Sequence, residues 1–177
     1  MNKLKTSLCI LLSLLLCPLW PIQNQAQTSG IVLDVAVEPG IFQTSLATSA
    51  IISITNAGGP NNILTSDRFS INFNTAFGTV TSIDPTILVA SPSLSGFSSN
   101  QFTVSLSGST ITIVYTGPTR IFIPSDGFSV RVNFTTPPTV GQGQVLVAVT
   151  TKSLGFALTS AQQEVPIVNF SVLATGA

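Results

Sequence analysis

Histidine is absent from this 177-residue sequence, and charged side chains make up only 7% of it. An average domain carries roughly 25% charged residues. Histidine is the usual general base at neutral pH, and nucleophilic serine or cysteine sites usually need it. Its absence removes the commonest hydrolase sites, and zinc and most transition-metal sites lose a favoured ligand. We therefore expect no enzyme activity and no cofactor.

A pair of carboxylates of the glycosidase type is the remaining route to catalysis, because two acids brought together by the fold would suffice. The chain has six acidic residues, scattered over separate segments. Asp126 lies in a turn signature and Asp84 precedes Pro85, and the acids lack the closely spaced pattern of a calcium loop. A secreted glycoside hydrolase is therefore the least favoured function for this chain.

The two cysteines, Cys9 and Cys17, both lie in an N-terminal segment with the pattern of an export signal. Two lysines precede an apolar run over residues 8–16, and the small residue Ala26 follows. This order is that of a secretory signal peptide, and the run is shorter than the about 20 apolar residues that span a bilayer. We predict cleavage after Ala26, with lipid attachment at Cys17 as the less favoured alternative. The signal peptide, residues 1–26, predicts a secreted or cell-surface protein, with the periplasm as the alternative.

Removal of the signal leaves residues 27–177 without cysteine, histidine, tryptophan or methionine. This excludes a disulfide framework, but a chain of this length can bury about 70% of its unfolded surface. Four basic and six acidic residues give the mature part a net charge of minus two, which offers no basic patch for nucleic acid. We predict a single domain with no nucleic-acid partner and no transmembrane segment.

The mature sequence does contain apolar and polar residues in alternation, with the period of two that half-buried strands show. The clearest stretch is residues 110–135, where two alternating runs flank a short apolar run. The predicted strands cover residues 31–37, 50–55, 69–74, 87–90, 102–107, 110–116, 121–123, 128–135, 145–149 and 165–173, with a weaker run at 154–158. Their inward phase predicts a core of Phe69, Ile71, Phe73, Ile113, Val130 and Val132, joined by Tyr115.

Connections between these runs carry glycine, proline or asparagine, and no amphipathic helical segment occurs. Short strands separated by such turns are typical of two packed sheets. We therefore predict an all-β protein, an antiparallel β-sandwich of about nine strands with immunoglobulin-like or jelly-roll topology.

Three segments of the mature chain carry a resemblance to known domains: TNAGG at 55–59, FSINF at 69–73 and IPSDGFSVRV at 123–132. Their order along the chain resembles that of bacterial extracellular immunoglobulin-like domains. Length and strand number are similar to those of cohesin and carbohydrate-binding sandwiches. The resemblance implies a secreted adhesive, scaffolding or sugar-binding module, and it carries over no functional residue.

A carbohydrate-binding module is the alternative to a structural role. Flat sugar platforms use exposed Trp and Tyr, but the mature part has no Trp, and Tyr115 lies on the inward phase, where its hydroxyl needs a buried partner. The candidate platform residues are therefore the loop phenylalanines Phe42, Phe77 and Phe97. Phenylalanine more often packs beneath its own loop, so we rank polysaccharide binding second.

The first and last strands are the candidate sites of assembly. Pro166 indicates an edge strand or a bulge in the last run, and few charges are present to protect the edges. A partner strand can complete an exposed edge. We predict binding to a second copy, or to another exported β-domain, through residues 31–37 or 165–173. The candidate residues are Ile31, Leu33, Val35, Val37, Val165, Ile167 and Val168.

Overall fold

The computed structural model of the protein describes residues 32–90, 98–151 and 160–169. The predicted signal peptide, Ile31, Phe97 and the weak run at 154–158 lie outside the described residues. Apart from strands and turns, the described part contains a single 3₁₀ turn, Ser99–Gln101. Within these three ranges, no helix is long and apolar enough to cross a membrane.

The strands alternate between long ones that build the sheets and short ones at the connections. In chain order they are β1 Leu33–Glu38, β2 Phe42–Gln43, β3 Ala47–Asn56, β4 Asn61–Ile63, β5 Arg68–Phe73, β6 Thr79–Ile83, β7 Leu88–Ala90, β8 Phe102–Ser107, β9 Thr110–Tyr115, β10 Arg120–Phe122, β11 Gly127–Thr135, β12 Gly141–Thr151 and β13 Ser160–Val168. The all-β class is confirmed. Strands β2, β4 and β6 were not predicted, so the described part has more strands than the expected nine.

Two large sheets contain most of these strands. Sheet A has the order β1-β3-β11-β6, and β7 also pairs with β11. Sheet B has the order β2-β13-β12-β5-β9-β8, and β4 and β10 form a separate two-stranded sheet. All these pairs are antiparallel except β2 with β13, which run parallel. The alternating runs of residues 110–135 therefore belong to opposite sheets, since β9 lies in sheet B and β11 in sheet A.

Sheets A and B pack face to face over one apolar core. All six residues predicted for this core, and Tyr115 with them, are buried. The rings of Phe69 in sheet B and Phe128 in sheet A meet edge to face, with centroids 4.9 Å apart. The inward phase read from the sequence is confirmed because a period of two allows only one face of each strand to reach the core.

The sandwich has two ends, which we name after the bounds of β11, the Gly127 end and the Thr135 end. Strand β1 begins at the Gly127 end, because Leu33 and Gly127 lie opposite neighbouring residues of β3. Strand β13 finishes at the Thr135 end, where Ile167 lies opposite Gly141. The first and last described strands thus enter and leave at opposite ends.

Candidate functional site

Two of the three residues predicted for a sugar platform, Phe42 and Phe77, are buried. Phe42 and Phe77 are 3% and 0% exposed, and their rings contact Phe134 with centroid distances of 4.9 and 4.4 Å. The turn that carries Phe77 is fixed by Asn74, whose Oδ1 accepts hydrogen bonds from the backbone N–H groups of Phe77 and Gln144, both at 2.9 Å. Strand β2 and this turn thus cover the Thr135 end of the core. Their burial excludes the exposed platform predicted for these two residues.

Tyr115 is also fully buried, as its inward phase predicted. Its hydroxyl donates a hydrogen bond to the carbonyl oxygen of Pro118 at 2.7 Å. Burial raises the pKa of the Tyr115 phenol above its usual range. A side chain at Gly117 would come within 2.5 Å of the phenol oxygen, so glycine is required there. Tyr115 therefore serves the core, with its one polar atom satisfied.

Two acidic residues, Asp67 and Asp126, are fully buried, and they occupy equivalent turns. Asp67 Oδ2 accepts the N–H of Leu64 at 2.9 Å, and Asp126 Oδ2 accepts the N–H of Ile123 at 3.0 Å. In each turn the aspartate N–H also donates to the carbonyl of the same leucine or isoleucine. Both carboxylates are thus held by backbone and closed to a substrate.

A short repeat in the sequence marks these two turns as equivalent, and the strand pattern alone did not reveal it. The pentapeptide Ser-Asp-X-Phe-Ser occurs at residues 66–70 and again at 125–129. In both copies the serine before the aspartate has a positive φ, 77° at Ser66 and 72° at Ser125. The strands that precede the two turns, β4 and β10, pair with each other. The repeat is a matched pair of turns that feed β5 and β11 into opposite sheets.

Two acids outside the core also make local contacts. Asp84 Oδ1 accepts the N–H of Thr86 at 2.9 Å, and this hydrogen bond lowers the pKa of Asp84. Asp34 Oδ1 accepts the N–H of Val35 at 2.9 Å. Among the residues that the structure describes, no group of three His, Cys, Asp or Glu side chains could hold a metal ion. The described acids thus lie in separate turns and strands.

The terminal strands, predicted as assembly edges, lie on the same side of the sandwich. Strand β1 is the outermost strand of sheet A, and β13 is covered by β2 only at Ile167 and Val168. The two terminal strands also run close to each other across the sandwich. The predicted edge residues Leu33, Val35, Val37, Val165 and Ile167 point into the core, and Val168 is half-buried. On this side of the sandwich, the groups that a partner strand could bind are therefore backbone N–H and C=O groups.

Backbone hydrogen bonds define which groups of β1 face outward. Ala57 donates to the carbonyl of Val32, so by the alternation of an antiparallel ladder residues 33, 35 and 37 turn their N–H and C=O groups away from β3. One of these outward donors, the N–H of Val35, is accepted by the Asp34 carboxylate. A partner strand would have to displace that bond. Assembly through residues 31–37 or 165–173 stays a prediction.

Comparison with known proteins finds resemblance in fold alone. No family model and no curated protein matches this chain. The N-terminal domain of the Streptococcus gordonii adhesin Sgo0707 is similar, with a TM-score of 0.51 and 10% identity over 77% of this chain. This chain spans only 32% of that adhesin chain.

Two further solved structures are similar at lower scores. BcpA, the major pilin subunit of Bacillus cereus, has a TM-score of 0.46 and 10% identity, and the match covers 79% of this chain and 40% of the pilin. A type I cohesin–dockerin complex from Clostridium thermocellum has a TM-score of 0.44 and 15% identity, and the match covers 81% of this chain and 99% of that one. The adhesin domain confirms the predicted resemblance in fold to bacterial extracellular sandwich domains.

Proposed function

We propose that this chain is an exported, non-enzymatic β-sandwich module with a structural or adhesive role, and that its partner is a protein strand added to a sheet edge. The observation that carries the proposal is that both large sheets end in outer strands whose backbone groups face outward. Strand addition uses these groups for affinity and the alternate side chains for specificity. The partner is a second copy of the chain or another exported β-domain.

The acidic residues support a non-enzymatic role. A glycosidase needs two carboxyl groups that face a sugar across a cleft. The buried pair, Asp67 and Asp126, is engaged by backbone N–H groups in turns, and Asp84 and Asp34 bond to their own neighbouring residues. Each of these four carboxylates thus has a local structural role.

The distribution of aromatic residues favours a protein partner over a polysaccharide. The aromatic rings at Phe42, Phe77 and Tyr115 are committed to the core. The large apolar side chains that are more than 40% exposed in the described part are aliphatic, namely Val32, Ile41, Leu46, Leu88, Ile121 and Val140. Aliphatic side chains offer no flat ring on which a sugar could stack. Phe97, the third platform candidate, lies outside the described residues.

Three measurements on the predicted mature chain, residues 27–177, test this proposal. Sedimentation velocity over a range of concentrations should show reversible self-association, or pull-down with the proteins exported alongside should recover a β-domain partner. Affinity electrophoresis through polysaccharide gels should show no retardation, and Phe97→Ala should migrate as the wild type does.

The opposite result is also clear. A protein that is monomeric at every concentration, binds no exported partner, and is retarded by a polysaccharide only when Phe97 is intact would be a carbohydrate-binding module. Turnover of a glycoside substrate by the purified chain would contradict the non-enzymatic assignment.

A further inference from the structure

The outer strands of the two sheets differ in how they are protected against added strands. Natural sheets protect their edges with charged residues, prolines and bulges. Strand β1 carries Asp34 and Glu38, both exposed, and β13 carries Glu164 and Pro166. The edge formed by β6 and β7 is interrupted between the two strands, and its pairing with β11 shifts register between Asn133 and Phe134.

Strand β8, at the other edge of sheet B, has none of these protections. Its sequence, FTVSLS, contains no charge and no proline, and its pairing with β9 runs without a register shift. Strand β6 of sheet A approaches β8 at a few positions only, whereas β1 and β13 run close over a longer stretch. Of the outer strands in the described ranges, β8 is therefore the one best suited to accept another strand.

The hydrogen-bond phase of β8 shows which groups it presents. Thr116 donates to the carbonyl of Gln101, and these residues continue the β8–β9 register. Alternation then directs the backbone of residues 103, 105 and 107 toward β9, and that of Val104 and Leu106 toward the open edge. The outward N–H and C=O groups of these two residues are spaced as in a sheet, so a second strand can form hydrogen bonds with them.

The side chains of β8, like its outward backbone groups, suit an added strand. Val104 and Leu106 lie opposite the buried Ile113 and Ile111, and they are only half-buried because the sheet stops at this strand. Thr103, Ser105 and Ser107 face solvent on the other side. A strand added to β8 would therefore cover the apolar pair and leave the hydroxyl residues in water.

We propose that two copies of this chain pair through β8, antiparallel and about a two-fold axis at Ser105. In this register Val104 faces Leu106 of the second copy, and Thr103 faces Ser107 of the second copy. Each strand thus presents apolar residues to apolar ones and hydroxyl residues to hydroxyl ones, with no like charges opposed. The proposal rests on the proposed function, since it selects a second copy as the protein partner and β8 as the edge.

The two-fold axis makes a geometric prediction at Ser105. Because Ser105 directs its backbone toward β9, the two copies of this residue would form a non-hydrogen-bonded pair, whose Cα atoms lie about 4.5 Å apart. That separation falls within the range of a disulfide, about 4.4–6.8 Å between Cα atoms. Residues 27–177 contain no cysteine. An introduced thiol can therefore form a disulfide only with the same thiol of a second molecule.

The first experiment introduces that thiol into residues 27–177. Under mild oxidation, Ser105→Cys should form a disulfide-linked dimer at least about tenfold faster than Gln162→Cys, because the pairing would hold the two thiols together. Gln162 is the matched control, since it is exposed on β13 of the same sheet. Equal rates for the two variants would overturn the proposal.

The second experiment introduces charge. Ser105→Lys places two ammonium groups opposite each other and should raise the dimer dissociation constant by about tenfold or more in sedimentation velocity. Gln162→Lys carries the same added charge and should leave that constant unchanged. At concentrations where the wild type is monomeric, thermal unfolding of both variants should match the wild type, since both positions are exposed.

The outcomes separate this inference from the broader function. If the wild type associates and Ser105→Lys associates equally well, the β8 pairing is wrong, while assembly through another edge stands. If Gln162→Lys alone weakens association, β13 is the edge in use. If the wild type is monomeric and binds no exported protein, the inference and the proposed function fail together.

Discussion

At the scale of single residues, the few polar side-chain atoms buried in this sandwich all form hydrogen bonds. The described part leaves no buried side-chain nitrogen or oxygen without a hydrogen-bond partner. Tyr115 illustrates the arrangement, because its ring fills the core while its hydroxyl reaches the carbonyl of Pro118. An unpaired buried polar group would cost about 1–3 kcal/mol, so each of these bonds matters to stability.

Replacement of Tyr115 by phenylalanine should lower the free energy of unfolding by about 0.5–1.5 kcal/mol, because the folded state loses the hydrogen bond to the partly exposed Pro118 carbonyl. The loss should be largest near neutral pH. Burial raises the folded-state pKa of Tyr115 above 10.0, the usual value of a tyrosine phenol, so the folded chain retains the phenol proton after the unfolded chain has released it. Stability from this group is therefore full below pH 10 and is lost as the pH rises toward the folded pKa.

Urea unfolding from pH 7 to pH 11 checks this dependence. The difference between the wild type and Tyr115→Phe should shrink above pH 10, and tyrosine occurs only once in the sequence, so no other phenol contributes. A difference that stays constant or grows with pH would show that the phenol is not held neutral by burial.

Residue burial is the part of this structure that the sequence predicts best, and the exceptions have a physical cause. Phe69, Ile71 and Phe73 lie on one phase of a strand, so their shared direction follows from the backbone. Phe42 and Phe77 lie in or beside turns, where no period indicates direction. Their burial depends on contacts with Phe134, which is far away in sequence.

At the scale of elements, the two aspartate turns connect the small β4–β10 sheet to the large ones. Each turn places a serine in a left-handed conformation and then uses the next side chain to hold the preceding backbone. The aspartate carboxylate thereby replaces a hydrogen bond that the backbone loses where it leaves one strand and enters the next. The turns therefore fix where β5 and β11 begin.

Removal of one such carboxylate should be costly. Asp67→Ala leaves the N–H of Leu64 without this acceptor in a buried setting, and the free energy of unfolding should fall by about 1–3 kcal/mol. Asp84→Ala is the matched control, because Asp84 also accepts one backbone N–H in a turn, but that hydrogen bond is exposed to solvent. Its effect should be much smaller, because water can replace the lost acceptor. Similar losses in both variants, measured by urea unfolding, would contradict a special role for the buried turn.

Long strands with a regular alternation of apolar and polar residues were predicted well, and short or irregular strands were not. Strands β1, β5, β8, β9 and β11 were located within two residues at either end. The two or three residues of β2 and β4 are too few to show a period. Strand β6 pairs across a register shift, which breaks its alternation. The start of β13 was missed because Gln162, Gln163 and Glu164 are polar in succession.

At the scale of the whole molecule, the order of strands was beyond reach of the sequence. Neighbours such as β3 and β11, or β5 and β12, are separated by more than 50 residues, and local patterns hold no information on which of them pair. The candidate edges depended on this order. Strand β1 is an outer strand, as the sequence suggested, but the edge at β8 emerges only when the order of sheet B is known.

Export predicts a specific mature product. If the signal is cleaved after Ala26, the exported chain begins at Gln27 and contains no thiol. Its intact mass should correspond to residues 27–177 and should not change on treatment with iodoacetamide. A product that begins at a lipid-modified Cys17 would replace secretion with attachment to a membrane surface.

The placement of the terminal strands has a mechanical consequence. Chain entering β1 at Val32 lies at the Gly127 end, and chain leaving β13 after Val168 lies at the Thr135 end. Tension applied through these two points pulls along the strand axes, while the hydrogen bonds that hold β1 to β3 and β13 to β12 lie perpendicular to them. The bonds of each terminal strand are then loaded in shear and must break together rather than one after another. A sandwich connected in this way resists extension most strongly along its own length.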